Sequence, residues 1–241
     1  MSGVPGLSLS GTARIDGQML FGPLDISAPA GRWTCLLGPS GVGKTTLLRL
    51  IAGIEDVAVL DGAVSASDSA PLPGRIALMA QSDLLMPWLN VIDNVMLGAR
   101  LRGAAPDRAR AQGVLERVGL ASHAAKHPDT LSGGERQRAA LARTLMEDRA
   151  VVLLDEPSSA LDARTRAEMQ DLAADLLQDR TVLMVTHDPG EAIRLGHQVL
   201  LLTERGCEAI PLPDTAPPRA VDDAQALAAQ GALLSRLMVK A

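Results

Sequence analysis

Residues 38–45 read Gly-Pro-Ser-Gly-Val-Gly-Lys-Thr, an octapeptide that fits the pattern G-x-x-x-x-G-K-[ST] at every specified position. The octapeptide follows an apolar, strand-like run, Trp33–Leu37, and opens a helical pattern, Thr45–Ala52, that ends at Gly53. Its glycines let the backbone curl until successive N–H groups point at one anion, and a helix N-terminus adds about half a positive charge. The sequence therefore predicts a phosphate-binding loop between a strand and a helix.

Two side chains of this loop indicate what it binds. Lys44 is expected to reach the β- and γ-phosphates of ATP, and the Thr45 hydroxyl is expected to ligate Mg²⁺. The alternative is a glycine-rich turn without a ligand, which the flanking strand and helix argue against. The predicted nucleotide-binding residues are Gly38, Pro39, Ser40, Gly41, Val42, Gly43, Lys44, Thr45 and Thr46.

A second candidate element is the apolar run Val151–Leu154, which is followed by Asp155 and Glu156. An open α/β sheet binds ligands at the carboxyl edge of its strands, where this run would place both carboxylates. Asp155 is expected to hold the Mg²⁺ that Thr45 ligates, and Glu156 to orient or deprotonate the attacking water. The alternative is an ordinary strand end with an acidic cap.

Apolar runs alternate with helical patterns along the chain, which predicts an α/β fold with a largely parallel sheet and a helical insertion. Ser65–Pro73 is typical of a loop, and Pro213–Pro218 of a short linker. The expected strands are Leu7–Ile15, Leu24–Ser27, Trp33–Leu37, Arg75–Met79, Val151–Leu154, Thr181–Thr186 and Gln198–Leu202. The expected helices are Thr45–Ala52, Val91–Arg100, Ala109–Val118, Leu161–Gln178 and Val221–Lys240.

Composition limits the classes of function. The 241 residues carry a net charge of −5, which argues against a general nucleic-acid binder. The two cysteines, Cys35 and Cys207, fit no metal spacing, and Cys35 is expected to be a buried, inert thiol. No apolar run approaches the roughly 18 residues of a membrane helix, and no signal-peptide pattern is visible. We therefore expect a cytoplasmic chain without a transmembrane segment.

The stretch Leu131–Gln137, Leu-Ser-Gly-Gly-Glu-Arg-Gln, separates this chain from most other proteins that have a phosphate loop. Ser132 and the two glycines can cap a helix with open N–H groups, which makes a second anion site without a phosphate loop of its own. With these motifs, the sequence resembles the ATP-binding cassette of ABC transporters over about residues 5 to 210.

The resemblance implies a P-loop NTPase fold with a RecA-like core sheet, an inserted α-helical subdomain and a small N-terminal antiparallel β region. It also implies that residues 1–241 form a single ATP-binding cassette domain. The core is expected at about 1–85 and 148–212, the helical subdomain at about 86–147 and a C-terminal tail helix at about 220–240.

The same resemblance implies that two copies of the chain, as a homodimer, sandwich two Mg-ATP head to tail. Gln81 would then lie near Mg²⁺ and the attacking water, and His187 would contact the γ-phosphate. Ser159–Asp162 would contact the partner cassette. The implied catalytic residues are Glu156, His187 and Gln81; the implied metal ligands are Thr45, Gln81 and Asp155; the residues implied to complete the partner's nucleotide site are Ser132, Gly133, Gly134, Gln137 and Asp162.

One departure from the family concerns the nucleotide base. Such cassettes usually stack an aromatic side chain on adenine some 25 residues before the phosphate loop, but residues 13–17 contain no aromatic. Ile15 aligns best with the stacking position. We expect weaker ATP affinity and poor discrimination of ATP from GTP, unless Phe21 takes that role.

Residues 81–95 resemble importers for nitrate, sulfonates and taurine, and for thiamine-precursor pyrimidines, through their Leu-x-Pro-Trp and Asn-Val elements. The resemblance implies that Leu85–Trp88 contact integral-membrane permease subunits. The protein would then lie at the cytoplasmic face of the inner membrane, with a periplasmic or extracellular substrate-binding protein as an indirect partner. Packing of Trp88 between the two lobes is the alternative.

The expected function is therefore that of the ATP-hydrolysing subunit of an ABC importer that takes up a small nutrient, with no nucleic acid as partner. One alternative is a soluble ATPase of DNA repair or chromosome maintenance, but such proteins carry a long coiled coil between Gln81 and the signature. Another is the cassette of an exporter, which is usually fused to membrane helices.

Overall fold

The computed structural model describes residues 3–203 and 206–239. None of the helices in these two ranges is long and apolar enough to cross a membrane. The chain divides into two compact units, each built from separate stretches of sequence. The first unit comprises Met1–Ile76, Ala150–Glu156 and Leu177–Ala241, and the second comprises Ala77–Arg149 and Pro157–Leu176.

An antiparallel sheet begins the first unit, in the order β2–β1–β4. Buried and exposed residues alternate along the start of β1, as expected of a strand with one face on the core. The turn Asp16-Gly17, with both residues at positive φ, joins β1 to β2. The strands of the chain are β1 (Leu7–Ile15), β2 (Gln18–Ala28), β3 (Trp33–Leu37), β4 (Val59–Ala66), β5 (Ile76–Met79), β6 (Val151–Asp155), β7 (Thr181–Val185), β8 (Gln198–Thr203) and β9 (Gly206–Ile210).

Parallel strands form the centre of the first unit, in the order β6–β7–β3–β8, with β9 antiparallel beside β8. Every residue of β3, β6 and β7 is buried, which matches strands that are covered on both faces. Burial raises the pKa of Cys35 in β3 well above its usual value, so this thiol is buried as predicted. Asp155 is level with Val185, and Val185 with Leu36, so the carboxyl ends of three strands meet at one edge.

Most of the predicted helical patterns are helices in the structure, but Pro189–Leu195 was not predicted, and Gly133–Met146 was predicted only at its start, through the cap at Ser132. The predicted helix Val91–Arg100 is two short helices, because the backbone leaves helical geometry at Met96, where ψ is −1°. Lys240, the last residue of the predicted C-terminal helix, lies outside the described residues. The helices are α1 (Lys44–Ala52), α2 (Val91–Val95), α3 (Leu97–Leu101), α4 (Arg108–Arg117), α5 (Gly133–Met146), α6 (Ala163–Leu176), α7 (Pro189–Leu195) and α8 (Ala224–Val239).

Helix α5 forms the centre of the second unit and packs against α2, α3, α4 and α6. The run Ala139–Ala142 is buried, and its Leu141 is one of the largest fully buried side chains of the described residues. In the first unit, α1 packs on β6 and β7, and α7 packs between β3 and α8.

Candidate functional site

The phosphate loop, Gly38–Thr45, connects β3 to α1. Gly43 caps α1 with a left-handed backbone, φ 98°, and no side chain caps the first N–H groups of this helix. Such N–H groups can bind an anion. A Cβ at position 43 would lie 2.8 Å from Cδ1 of Phe21, so both the conformation and the space require glycine. This geometry fits a bound phosphate group.

Lys44 is folded back onto its own loop. Its side chain is buried, with the residue 7% exposed, and Nζ donates to the carbonyl oxygens of Gly38 (2.8 Å) and Pro39 (3.0 Å). Burial lowers the pKa of Lys44, whereas the charges of Glu156 and Asp155 raise it. The ammonium group therefore lies within the field of both carboxylates.

Thr45 and Asp155, two of the predicted metal ligands, contact each other directly. Thr45 Oγ1 donates to Asp155 Oδ1 at 3.2 Å. Burial raises the pKa of Asp155, and the hydrogen bond from Thr45 opposes this shift. A hydroxyl and a carboxylate are hard oxygen donors that suit Mg²⁺ when phosphate oxygens and water complete its shell. Within the described ranges, no three His, Cys, Asp or Glu side chains form a metal cluster.

Glu156 and His187 meet where β6 and β7 end. His187 Nδ1 lies 3.0 Å from Glu156 Oε2, and the histidine side chain is 56% exposed against 15% for the glutamate. Glu156 has φ 47°, a left-handed conformation that costs about 1–2 kcal/mol in a non-glycine residue. Its N–H donates to the Val185 carbonyl at 2.9 Å, so strand pairing holds it there. Such strain is typical of residues whose position matters for function.

The signature stretch forms the start of α5 in the second unit. Ser132 and Glu135 make a reciprocal capping box, in which the Ser132 hydroxyl accepts the Glu135 N–H (3.2 Å) and the Glu135 carboxylate accepts the Ser132 N–H (2.7 Å). This bond lowers the pKa of Glu135. Gly133 is half-buried, and Gly134 is buried. A Cβ on Gly134 would lie 2.5 Å from Cγ2 of Thr165, so α6 leaves room only for glycine.

Three other predicted residues lie in the second unit. Gln81 has an exposed side chain, and its carbonyl accepts a long hydrogen bond, 3.5 Å, from Nε2 of Gln137. Oε1 of Gln137 is buried and has no hydrogen-bond partner among the described residues. Asp162 accepts the N–H groups of Arg164 and Thr165, both at 3.1 Å, which lowers its pKa and caps the start of α6. The structure thus brings Gln81 next to Gln137.

The residue that shapes the turn around Leu85–Trp88 was missed in the sequence. Asn94 is fully buried in α2, and its Oδ1 accepts the Met86 N–H at 2.7 Å. Trp88, carried by this turn, is 71% exposed. A polar residue within the apolar helical pattern was the available signal. Asn94 Nδ2 donates to the carbonyl oxygens of Met86 (3.1 Å), Leu89 (3.0 Å) and Asn90 (3.1 Å).

Comparison with known proteins identifies the family. A sequence profile described as ABC transporter matches residues 21–159. The chain belongs to the ABC transporter ATP-binding proteins. An uncharacterised ABC transporter ATP-binding protein of Haemophilus influenzae Rd is 44% identical over 229 residues, which are 92% of this chain and 94% of that protein.

Other similar proteins include two named for import. The aliphatic sulfonates import ATP-binding protein SsuB 1 of Rhodococcus jostii RHA1 is 46% identical over 89% of this chain and 86% of its own length. SsuB of Escherichia coli K12 is 45% identical over 78% of this chain and 72% of its own length. A solved structure, described as an inward-facing conformation of a metal-chelate type ABC transporter, matches with TM-score 0.73 and 26% identity over 95% of this chain and 89% of that chain. The predicted fold class, ATP binding and ATPase activity of this ABC protein are thereby confirmed.

No aromatic residue occurs at positions 13–17, the stretch predicted to provide a stacking partner for the nucleotide base. Phe21 is 1% exposed and lies against the backbone of Gly43, so neither face of its ring is available for stacking. Ile15, the last residue of β1, is half-buried. Phe21 therefore does not replace the missing aromatic.

We expect this ABC ATPase to bind ATP and GTP with affinities within about tenfold of each other. Stacking of a base on an aromatic side chain contributes about 1–3 kcal/mol, so Ile15→Tyr should tighten ATP binding by roughly 5- to 150-fold. Titration calorimetry on the wild type and on Ile15→Tyr measures both effects, with Ile15→Leu as the apolar control. A hundredfold preference of the wild type for ATP would contradict this prediction.

Proposed function

We propose that this protein is the ATP-hydrolysing subunit of an ABC importer, in which two copies sandwich two Mg-ATP and drive a separate membrane permease. The exposed Trp88 on a turn fixed by Asn94 carries this proposal. Tryptophan and methionine are enriched in the cores of protein interfaces, and an exposed indole on an ordered turn suits such a contact. The turn, Leu85–Trp88, would receive the permease subunits.

The cargo we propose is a small nutrient of the nitrate, sulfonate and taurine group, or a thiamine-precursor pyrimidine. Relatives named for aliphatic sulfonate import support the first group, since they are 46% and 45% identical to this chain over the aligned residues. The protein would bind at the cytoplasmic face of the inner membrane through the permease. A periplasmic or extracellular binding protein would deliver the cargo to that permease.

Residues at the edge of the parallel sheet would have separate roles in ATP hydrolysis. The Lys44 ammonium leaves the loop carbonyls and neutralises charge on the β- and γ-phosphates. Glu156 accepts the proton of the attacking water, and the exposed ring of His187 beside it contacts the γ-phosphate. A magnesium ion held by Thr45, Asp155 and Gln81 would stabilise charge on the phosphate oxygens.

The first turn of α5 would complete the nucleotide site of the second cassette. The capping box holds Ser132 at the helix N-terminus, where the N–H groups of Gly133 and Gly134 and the helix dipole favour an anion. Gln137 and Asp162 would flank that contact. Because only differential affinity can shift a conformational equilibrium, ATP acts by binding the closed dimer more tightly than the open one.

Reconstitution in liposomes with permease subunits from the same organism tests the proposal. We expect ATP-dependent accumulation of a labelled cargo, measured separately for an alkanesulfonate, nitrate, taurine and a pyrimidine. ATP-dependent efflux would instead indicate an exporter. ATPase activity stimulated by DNA and not by the permease would indicate a chromosome or repair ATPase.

Trp88→Ala should uncouple hydrolysis from transport. Truncating an aromatic at the centre of an interface costs about 2 kcal/mol or more, so permease-stimulated ATPase activity should fall by at least about tenfold. ATP binding to the isolated chain should stay within twofold of the wild type. Val59→Ala, at an exposed apolar residue of the first unit, is the matched control. Loss of ATP binding in Trp88→Ala would contradict the permease contact.

A further inference from the structure

A buried arginine follows β9, in a part of the chain that the family profile does not match. Arg219 is 4% exposed, and its N–H donates to the Arg194 carbonyl at 2.9 Å. Burying a guanidinium group costs free energy that hydrogen bonds to acceptors offset; the buried Nε of Arg219 has no hydrogen-bond partner among the described residues. Its Nη1 donates to the carbonyl oxygens of Ile193 (2.5 Å) and Gly196 (2.9 Å), and its Nη2 donates to that of Pro213 (3.2 Å).

Three of these four acceptors lie at the C-terminal end of α7. The last carbonyl groups of a helix have no partner within the helix, and a cation there is favoured by the helix dipole. Helix α7 has only seven residues, Pro189–Leu195, and helices this short depend on their surroundings for stability. Arg219 therefore holds the C-terminal end of α7 in place.

The N-terminal end of α7 directly follows His187. Asp188 caps this end by accepting the N–H groups of Gly190 (2.8 Å) and Glu191 (3.4 Å). Helix α8 reaches the same end, because Nε2 of Gln230 lies 3.1 Å from where a Cβ on Gly190 would be. The tail, residues 213–239, thus contacts both ends of α7.

His187 is attached to a fixed strand on one side and to α7 on the other. Thr186, which precedes it, is buried, and its N–H donates to the Leu36 carbonyl of β3 at 3.1 Å. The freedom left to His187 is therefore set by how firmly α7 is held.

We propose that Arg219 is a positioning residue for ATP hydrolysis, which acts through α7 to hold His187 beside Glu156. This inference rests on the role proposed for His187 at the γ-phosphate. The tail would then contribute to hydrolysis through its contacts with α7.

Steady-state kinetics on the full chain test this inference. Arg219→Gln should lower kcat by about 3- to 30-fold and change KM for ATP by less than twofold, because the phosphate loop is untouched. Arg219→Lys keeps the charge and should recover part of kcat. Arg236→Gln, which alters an exposed arginine of α8 paired with Glu208, should keep the wild-type kcat.

The ring signals of ¹³C-labelled histidine give a second readout, with His187 assigned through His187→Gln. We expect Arg219→Gln to move the His187 signal and to leave those of His123 and His127 in place. An unchanged kcat overturns the inference, as does a loss of kcat with a raised KM and shifts of all four histidines. If Arg219→Gln does not fold, Arg219→Lys decides the question. A wild-type kcat in Arg219→Lys overturns the inference, and a lowered kcat with an unchanged KM supports the inference. Wild-type kcat in His187→Gln would overturn the role of His187 itself.

Discussion

Replacing Glu156 with glutamine is expected to stop ATP turnover and to trap a dimer of the protein when ATP and Mg²⁺ are present. The amide keeps the shape of the side chain at φ 47° and can still contact His187. It cannot accept the proton of the attacking water, and general-base catalysis contributes typically 10²–10⁴-fold. We therefore expect kcat to fall by at least about 100-fold, and the closed dimer to accumulate around unhydrolysed ATP.

Size-exclusion chromatography with light scattering measures this state for Glu156→Gln, first with Mg-ATP and then with Mg-ADP. ATP should give the mass of two chains, and ADP the mass of one. Glu116→Gln, the same change at an exposed residue of α4, should hydrolyse ATP at the wild-type rate. A monomer with both nucleotides, despite measured ATP binding, would contradict the homodimer. Normal turnover in Glu156→Gln would contradict its role as the base.

Lys44→Ala is expected to weaken ATP binding by at least about 100-fold. Hydrogen bonds to charged groups contribute about 1.5–3 kcal/mol each, and the ammonium group would donate to both the β- and γ-phosphates. Part of this gain is offset because Nζ first leaves the carbonyl oxygens of Gly38 and Pro39, so the expected loss of affinity corresponds to the lower end of the range.

Titration calorimetry with a non-hydrolysable ATP analogue measures the loss of affinity. Lys126→Ala, at an exposed lysine of the second unit, should bind the analogue as the wild type does. Thermal unfolding followed by circular dichroism establishes that Lys44→Ala is folded at the titration temperature. Wild-type affinity in a folded Lys44→Ala would remove Lys44 from the nucleotide site.

Buried parallel strands could be predicted from the sequence, as could β5 at the margin of the larger sheet, whereas the marginal strands β4 and β9 could not. β3 has the predicted bounds and β6 is one residue longer, because strands buried on both faces are continuous apolar runs. β4 is mostly exposed and exists through its pairing with β1, so its local pattern carried little signal and part of it was assigned to a loop. β9, which pairs only with β8 among the described strands, was not predicted either.

The predicted strand Leu24–Ser27 is the second half of a longer one, β2. Gly22 and Pro23 ordinarily end a strand, so the prediction stopped there. In the structure the pairing of β1 with β2 continues past them through irregularities near Gly11 and Ala13, and it reaches the Asp16-Gly17 turn. That dipeptide is a strong hairpin signal, which the interpretation of the sequence did not use.

The residues of the candidate site also differ in how far they could be predicted from the sequence. Lys44, Glu156 and Ser132 lie in short contiguous motifs, whose backbone geometry follows from local glycines, caps and strand ends. Asn94 bonds to groups only four to eight residues away, and its polar side chain within an apolar helical pattern was a weak local signal. Arg219 acts on carbonyl oxygens that only the fold brings to it, because its bonds to the end of α7 span 23 to 26 residues, and no local pattern marks it.

The four hydrogen bonds of Asn94 have a kinetic consequence for any partner of Trp88. They order the turn during folding, so a partner that binds the indole has no loop left to order and restricts only the rotamers of one side chain. Association would then be limited by diffusion and by orientation of the two surfaces, and not by a conformational search. Once folded, the chain presents Trp88 on a preorganised turn that can bind a partner without further ordering.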